Sequence, residues 1–564
     1  MLWYFAGALA ALFIVHRGWQ RLLLSRAKHP SLAGHARLGR FVAGLIPKIE
    51  YDDARFFGAD GAPPEIVAGR RAGFERLAAL YSERFRKSSD LTAEIRDAIS
   101  DVQFTSRYRV PFQFSRKVRE QLRAGVFLQS SSGTTLTDLD GNRFYDLTGS
   151  YGVNLFGYDF YKDCIAQGAE RVRDLGPVLG SYHPVIAYNV QRLREISGLD
   201  EVSLHMSGTE AVMQAARLAR YHTRRRYIVR FCGAYHGWWG DVQPGVGNPI
   251  AARDTFTLKD MDEASLRVLR SRRDIACVLV NPLQALHPNA SAAADWGLVD
   301  RRRTSPCDRA AYSAWLKRLR AVCSERGIVL IFDEVFVGFR LARGGAQEYF
   351  GVRADMVAYG KTLGGGLPIG ALCGKRDLMR RYREVRPADI CFARGTFNSH
   401  PYVMGAMHEF LLRLDGEPIR ALYRDLDEVW DRRARSLNER LRAAAIPVQV
   451  THLSSIWTFN YLQSSRYNWM FQFYLRAAGL ALSWIGTARV IFSLNYTDAD
   501  FAEVADRVLA AAAAMQRDGW WWADTGLTSR SIRRRIVREL VQARWTTSSI
   551  GSTHSPRRRY SGAR

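Results

Sequence analysis

Lys361 ends a strand-like run, ADMVAYG, and is followed closely by Gly364-Gly365-Gly366. A lysine placed there can reach into a cleft with its amine partly desolvated. Burial then lowers its pKa and makes it a nucleophile for carbonyls. Twenty-eight residues earlier the run GIVLIF ends at Asp333-Glu334, which sets carboxylates at the carboxyl edge of a strand. Ligands bind at that edge in open α/β sheets. A buried acid there needs a cationic partner, because a lone carboxylate in apolar surroundings costs several kcal/mol or more. In SLHMSGTEAVMQAARLAR, Ser207-Gly208-Thr209 lead straight into a helical pattern, gathering N–H groups and hydroxyls where phosphate is favoured. Each feature alone has a structural reading; an SGT before a helix is often just a cap.

Short β-rich runs alternating with helical patterns must position these residues: 227–231, 275–280, 328–332 and 356–359. That alternation predicts βαβ units and a largely parallel sheet. Beyond about residue 410, helices rich in Leu, Arg and Ala alternate with sparse strands, as in a smaller α+β domain. Upstream, residues 134–146 alternate around Asp140-Gly141-Asn142, a hairpin signal. Pro63 and Pro64 open an amphipathic segment with Phe74, Leu77, Tyr81 and Phe85 on one side, and a second helix is expected after Ser89 and Asp90.

With 564 residues, 47% hydrophobic and 24% charged, the chain can bury a large core and hold more than one domain. Seven scattered cysteines form no CxxC pair and no metal spacing, so reduced thiols and no metal site are expected. The net charge of +26 points to an anionic partner. Residues 1–15 are uninterruptedly apolar, and His16, Arg17, Trp19, Arg21 and Arg26 follow. Fifteen helical residues reach roughly 22 Å against a hydrocarbon core of about 30 Å, a marginal span unless Leu22, Leu23 and Leu24 extend it. A helix lying in the interface and a buried core helix are the alternatives. The positive-inside rule leaves everything after Arg17 in the cytoplasm, at the inner face of the membrane. Residues 530–564 hold ten Arg and one acid, with Ile532, Ile536, Val537, Leu540, Val541 and Trp545 at helical spacing. Beside Trp520, Trp521 and Trp522 this suits an anionic membrane surface, with an ordinary docked helix as the alternative; nucleic acid is not expected. Residues 546–564 read as disordered.

Taken in order, Ser207-Gly208-Thr209, Tyr235-His236-Gly237, Asp333-Glu334-Val335, Lys361 and Gly395-Thr396-Phe397-Asn398 resemble the class III aminotransferases, the fold-type I pyridoxal-phosphate enzymes. DEVFVGFR, GKTLGGGLPIGALCGK and ARGTFNSHP are most similar to the glutamate-1-semialdehyde 2,1-aminomutase subgroup. The resemblance covers roughly residues 90 to 515. It implies an α/β, PLP-dependent transferase fold of type I. The expected division is a membrane-associated helix (1–24), a helical extension (25–105), the N-terminal segment of a small domain (106–200), a large PLP-binding domain (201–410), a C-terminal small α+β domain (411–525), and a basic helix with a disordered tail (526–564).

The resemblance further implies pyridoxal 5′-phosphate as cofactor, Lys361 as the Schiff-base lysine that later moves a proton, and Asp333 as partner of the pyridinium nitrogen. Ser207, Gly208 and Thr209 would hold the phosphate, Tyr235 would stack on the ring, and His236 would join the cofactor site. Thr396 would reach the neighbouring subunit's phosphate, which implies a homodimer. Asn281 stands where many members carry a glutamate that can pair with an arginine; Arg489 falls at that arginine's place and would be left without its usual partner. Phe336 brings an aromatic where the family often has a smaller or polar group. The 107–116 segment, RYRVPFQFSR, is more aromatic than the aminomutase's substrate loop. Tyr151, Asn281, Phe336 and Arg489 are thus the substrate-side candidates. The reading is an aminotransferase exchanging an amino group between an amine donor and a hydrophobic or carrier-bound carbonyl acceptor. An aminomutase is the alternative, and an inactive membrane-attached scaffold the remaining one.

Overall fold

The computed structural model describes residues 2–28, 35–108, 110–243, 252–283, 308–482, 489–524 and 526–550. A seven-stranded sheet is built from β1 (Glu201–His205), β2 (Tyr227–Phe231), β3 (Thr255–Leu258), β4 (Ile275–Val280), β5 (Val329–Asp333), β6 (Met356–Gly360) and β7 (Gly370–Gly374). Their order is β1-β7-β6-β5-β4-β2-β3, and only β7 runs against the rest. β4 to β7 are buried at every position, which is why they read as continuous apolar runs. The four expected strands are present, with β5 and β6 each extending one residue further to take in Asp333 and Gly360.

The hairpin around Asp140-Gly141-Asn142 is present as strands Thr135–Asp138 and Arg143–Asp146, and the latter pairs in parallel with Leu480–Ala481. Segments far apart in sequence therefore share one small sheet. The helix expected after Ser89 and Asp90 begins earlier, at Arg86. The cause is non-local: the Asp140 carboxylate accepts from the N–H groups of Lys87 (2.7 Å) and Ser88 (2.9 Å), supplying a cap from across the fold.

The helix Pro64–Arg84 carries Pro at its first turn and buries Phe74, Leu77 and Tyr81, as its pattern predicts. It packs into an aromatic cluster with Phe56, Phe57, Phe114, Tyr467, Trp469 and Trp520. This corrects one expectation. Trp520 and Trp521 are core residues rather than a membrane-facing aromatic cluster. The C-terminal helix Ser529–Ile550 docks as well: Ile532 is buried and Glu539 pairs with the buried Arg466 at 2.8 Å. It also runs through Ile550, past the point where disorder is expected at residue 546, while residues 551–564 lie outside the described ones. No helix of the described residues is long and apolar enough to cross a membrane, so the spanning form of the N-terminal anchor is not supported. The described cysteines are free and buried, and Cys307 lies outside the described residues.

His205 closes β1 with a 2.9 Å contact to Ser203 Oγ. Burial, with Arg381 nearby, pushes its imidazole down from 6.5 to about 4. An unfolded chain takes up this proton near pH 6.5 while the folded one resists until about pH 4. Stability is therefore whole above pH 6.5 and falls on acidification toward 4, by up to about 3 kcal/mol. Urea unfolding midpoints of wild type and His205→Gln, taken across that window, should diverge in slope; parallel slopes would assign the acid sensitivity elsewhere.

Candidate active site

Strand direction collects the motifs. β1, β2, β4, β5 and β6 all point the same way, so Ser207, Tyr235-His236, Asn281, Asp333 and Lys361 all leave the same sheet edge. Register tightens this: Gly370 of β7 pairs with both Gly360 and His205, so the chain into Lys361 and the chain into Ser207 emerge on either side of one residue. A Cβ at Gly370 would come within 2.0 Å of the Ser207 carbonyl, so only glycine allows this approach. Gly208 packs the same way on Val335 (2.6 Å to an added Cβ) and Gly237 on Thr209 (2.5 Å).

Lys361 has φ +48, a left-handed conformation that costs a non-glycine residue about 1–2 kcal/mol and recurs at functional positions. Burial pulls its amine below the usual lysine value; nearby Asp333 opposes this, while Arg340 and Arg489 reinforce it. Among the described residues the amine has no ion-pair partner, and it lies 5.3 Å from the centre of the Phe336 ring. Gly152 presses on the same place: a Cβ there would strike Phe336 at 2.5 Å and Lys361 Cδ at 3.3 Å. Gly149–Gly152 holds two further left-handed residues, Ser150 (φ 44) and Tyr151 (φ 57), and the Tyr151 side chain stays exposed.

The Asp333-Glu334 pair divides its labour. Asp333 Oδ2 lies 2.8 Å from buried His236 Nδ1, and His236 Nε2 is buried with no hydrogen-bond partner among the described residues. Glu334 turns away and accepts from the N–H groups of Ala346 (2.6 Å) and Gln347 (3.1 Å). Burial outweighs those bonds and raises its carboxyl to about 7. Ser207 is indeed a cap, accepting from Glu210 N at 3.3 Å, while Glu210 accepts from Met206 N at 3.0 Å. Capping and anion binding are compatible here, because Gly208 and Thr209, the first two helical positions, keep N–H groups directed out of the helix end. Tyr235 is exposed; burial of its hydroxyl and the Asp333 charge hold its pKa up.

Two segments of the chain match the family model of aminotransferase class-III, residues 116–241 and 308–511. The chain is a class III aminotransferase. It is 35% identical over 309 residues to a glutamate-1-semialdehyde 2,1-aminomutase of Alkaliphilus oremlandii, covering 52% of this chain and 67% of that protein. Among solved structures, the glutamate-1-semialdehyde-aminomutase of Pseudomonas aeruginosa PAO1 superposes with a TM-score of 0.64 at 16% identity (79% of this chain, 99% of that one). The β-phenylalanine aminotransferase of Variovorax paradoxus does so at 0.62 and 23% (80% and 98%). The family fold is fold type I and its cofactor is pyridoxal 5′-phosphate. This chain's site fits that cofactor on three observations: a buried amine without an ion pair, an orphaned His236 Nε2 beside Asp333, and a glycine-lined helix end.

The remaining expected residues fall unevenly. Phe336 is close to both Lys361 and Arg340, whose guanidinium is 5.7 Å from the ring centre. Asn281 is engaged locally, accepting from Leu283 N at 3.2 Å. Arg489 opens a strand of the C-terminal sheet, with its side chain reachable from solvent yet enclosed enough that burial lowers its pKa; no described carboxylate pairs with it. Thr396 sits exposed in a turn at residues 395–398. Part of the 107–116 segment, Arg109, lies outside the described residues.

Sequence reasoning missed Arg340, the last residue of DEVFVGFR. It is fully buried and donates to Ser455 Oγ (2.9 Å), Phe492 O (2.7 Å) and Asn154 O (3.3 Å), tying the loop after Asp333 to three other segments. Burial pulls its pKa down to about 10. An arginine closing an otherwise apolar run was the available signal. Tyr161, whose hydroxyl bonds Thr362 next to Lys361, carried none.

Proposed function

We propose that this protein transfers an amino group from an amine donor to a carbonyl acceptor, using Lys361 and Asp333 with pyridoxal phosphate. Bound there, the cofactor supplies an aldehyde for amines and a ring that accepts the electron pair left on the substrate carbon. Lys361 Nζ, unpaired and partly desolvated, holds the cofactor and then takes and returns the proton at the carbon bearing the amino group. Asp333, held in place by His236, sets a carboxylate against the ring nitrogen. Ser207, Gly208 and Thr209 take the phosphate and Tyr235 covers the ring face. Thr396, exposed on its own protomer, reaches the partner's phosphate in a homodimer.

The single supporting observation is the lone Lys361 amine with Asp333 close enough to act on it electrostatically, at the edge where the other motifs converge. Phe336 and Tyr151 suit an apolar acceptor, and Arg489, without a described counter-ion, suits a carboxylate on either substrate. The likeness to aminomutases favours a second reading, an amino shift within one molecule. Repeated conversion of an amino carbonyl compound to its isomer without any added amine donor would establish that reading and reject transamination. We also place the enzyme at the cytoplasmic face of a membrane, where an apolar acceptor would be delivered.

Asp333→Asn preserves shape and the contact to His236 but removes the charge. It should lower kcat on the order of 10²–10³-fold, the effect of losing one preorganised electrostatic group. Cofactor absorbance should remain, and undiminished turnover would take Asp333 out of this role.

A further inference from the structure

The two ends of the chain present apolar surface bordered by arginine that the amino-transfer chemistry does not use. Among the described residues the N-terminal helix Leu2–Ala27 is buried only at its base, at Leu23 and Ala27, where Lys259 N donates to Ala27 O at 2.9 Å. Residues 3–19 are exposed throughout, with Trp3 at 90% and Tyr4 at 87%. Leu9, Leu12, Phe13, Ile14 and Val15 continue the stretch, apolar on all sides rather than along one stripe. A helix apolar all round is stable only inside a protein core or a lipid phase. From Leu2 to Val15 it reaches roughly 21 Å, short of a hydrocarbon core of about 30 Å but deep enough for one leaflet. Arg17, Arg21 and Arg26 ring its base, and Trp19 is exposed among them.

A second patch has the same character. The helix Ala36–Leu45 exposes Leu38, Phe41 and Leu45, and Arg544 Nη1 of the C-terminal helix donates to Leu45 O at 3.1 Å. That helix exposes Val537, Val541 and Trp545 interleaved with Arg534 and Arg538. Seven residue steps separate Lys28, at the base of the first helix, from His35, at the start of the second patch, a reach of at most about 25 Å. The two patches therefore begin within about 25 Å of each other.

We propose that the N-terminal helix inserts into one leaflet of an anionic phospholipid bilayer, while the Ala36–Leu45 and C-terminal helices rest on its head groups. Charge complementarity selects this occupant. Arginines beside apolar side chains match lipid phosphates above acyl chains, and the chain carries +26 overall. A second copy packed in parallel on the same helix would bring like-charged arginine collars together. The assignment rests on the membrane part of the functional reading and not on its chemistry, because vesicle binding and donor-dependent turnover are scored separately.

The test is flotation of the PLP-loaded full chain with vesicles of phosphatidylcholine alone, or of phosphatidylcholine with phosphatidylserine. Anionic vesicles should carry the protein and neutral ones carry far less, with added salt weakening the difference. Arg534→Glu/Arg538→Glu should weaken anionic binding by about 30-fold or more, at roughly fivefold or more per arginine removed. A chain lacking residues 2–15 should be released by salt that leaves the full chain bound. Turnover of a water-soluble donor and acceptor, unchanged in both variants, reports that they fold. Equal flotation with both vesicle types would overturn the proposal. So would failure to float together with an oligomer that dissociates when residues 2–15 are removed, since a second copy then covers the helix.

Discussion

Lys361→Ala should abolish turnover, on the order of 10⁴-fold or more, because one amine serves both as covalent anchor and as proton carrier. Borohydride reduction of the loaded wild type should leave a pyridoxyl group on the peptide containing Lys361, and reduction of the variant should leave none. Loss of folding is a poor alternative explanation. Lys361 makes no ion pair among the described residues, and alanine and lysine bear the same left-handed strain at φ +48. Thermal unfolding of the two proteins should therefore nearly coincide. An adduct retained by the variant would move the nucleophile to another lysine and undo the functional reading. Because burial lowers the Lys361 pKa, its amine should also lose its proton at lower pH than an exposed lysine does. Cofactor loading of the wild type should accordingly rise with pH below the ordinary lysine range.

Asp60→Ala should be strongly destabilising although it lies outside the site. Asp60 and Arg70 form an ion pair whose side chains are both 0% exposed, with contacts of 2.7 and 2.8 Å. Arg70 also donates to Phe57 O (2.8 Å) and Gly519 O (2.9 Å), and it lies over the Tyr467 ring at 4.3 Å. Removing the acid strands a buried guanidinium, at a cost of about 3–5 kcal/mol. Arg96→Ala, which removes the exposed partner of Asp97, should cost under about 1 kcal/mol. The double variant Asp60→Leu/Arg70→Met should recover much of the loss, since paired apolar replacements avoid the stranded charge. Urea midpoints of the four proteins decide this. An Asp60→Ala midpoint close to that of Arg96→Ala would mean that the N-terminal extension is not part of the cooperative core.

The chemistry-bearing residues were legible because each is marked locally. Asp333 and Lys361 end apolar runs, Ser207 precedes a helix with its cap, and a glycine adjoins both Ser207 and Lys361. Strand alternation then pointed to a largely parallel sheet whose carboxyl edge collects them, and β1 through β6 realise it. Local pattern failed where the partner was distant. Asp140 starts a helix more than fifty positions away in the chain, Arg340 binds backbone and hydroxyl groups from three other segments, and Glu334 spends its carboxylate on a helix end while its neighbour acts on the lysine. Trp520 and Trp521 show the same limit, since an aromatic run reads alike whether it meets lipid or a core.

Sequence by itself determined the strands that carry the site, because periodicity and strand-end residues are properties of neighbours along the chain; the family, and through it the cofactor, came from the resemblance of the ordered motifs. Only the tertiary structure decided that the Trp cluster and the C-terminal helix dock inward while the first helix stands apart. It alone joined Asp60 to Arg70, and His236 to Asp333. Burial and pairing depend on which distant surfaces meet, and that information is not held in any local stretch of the chain.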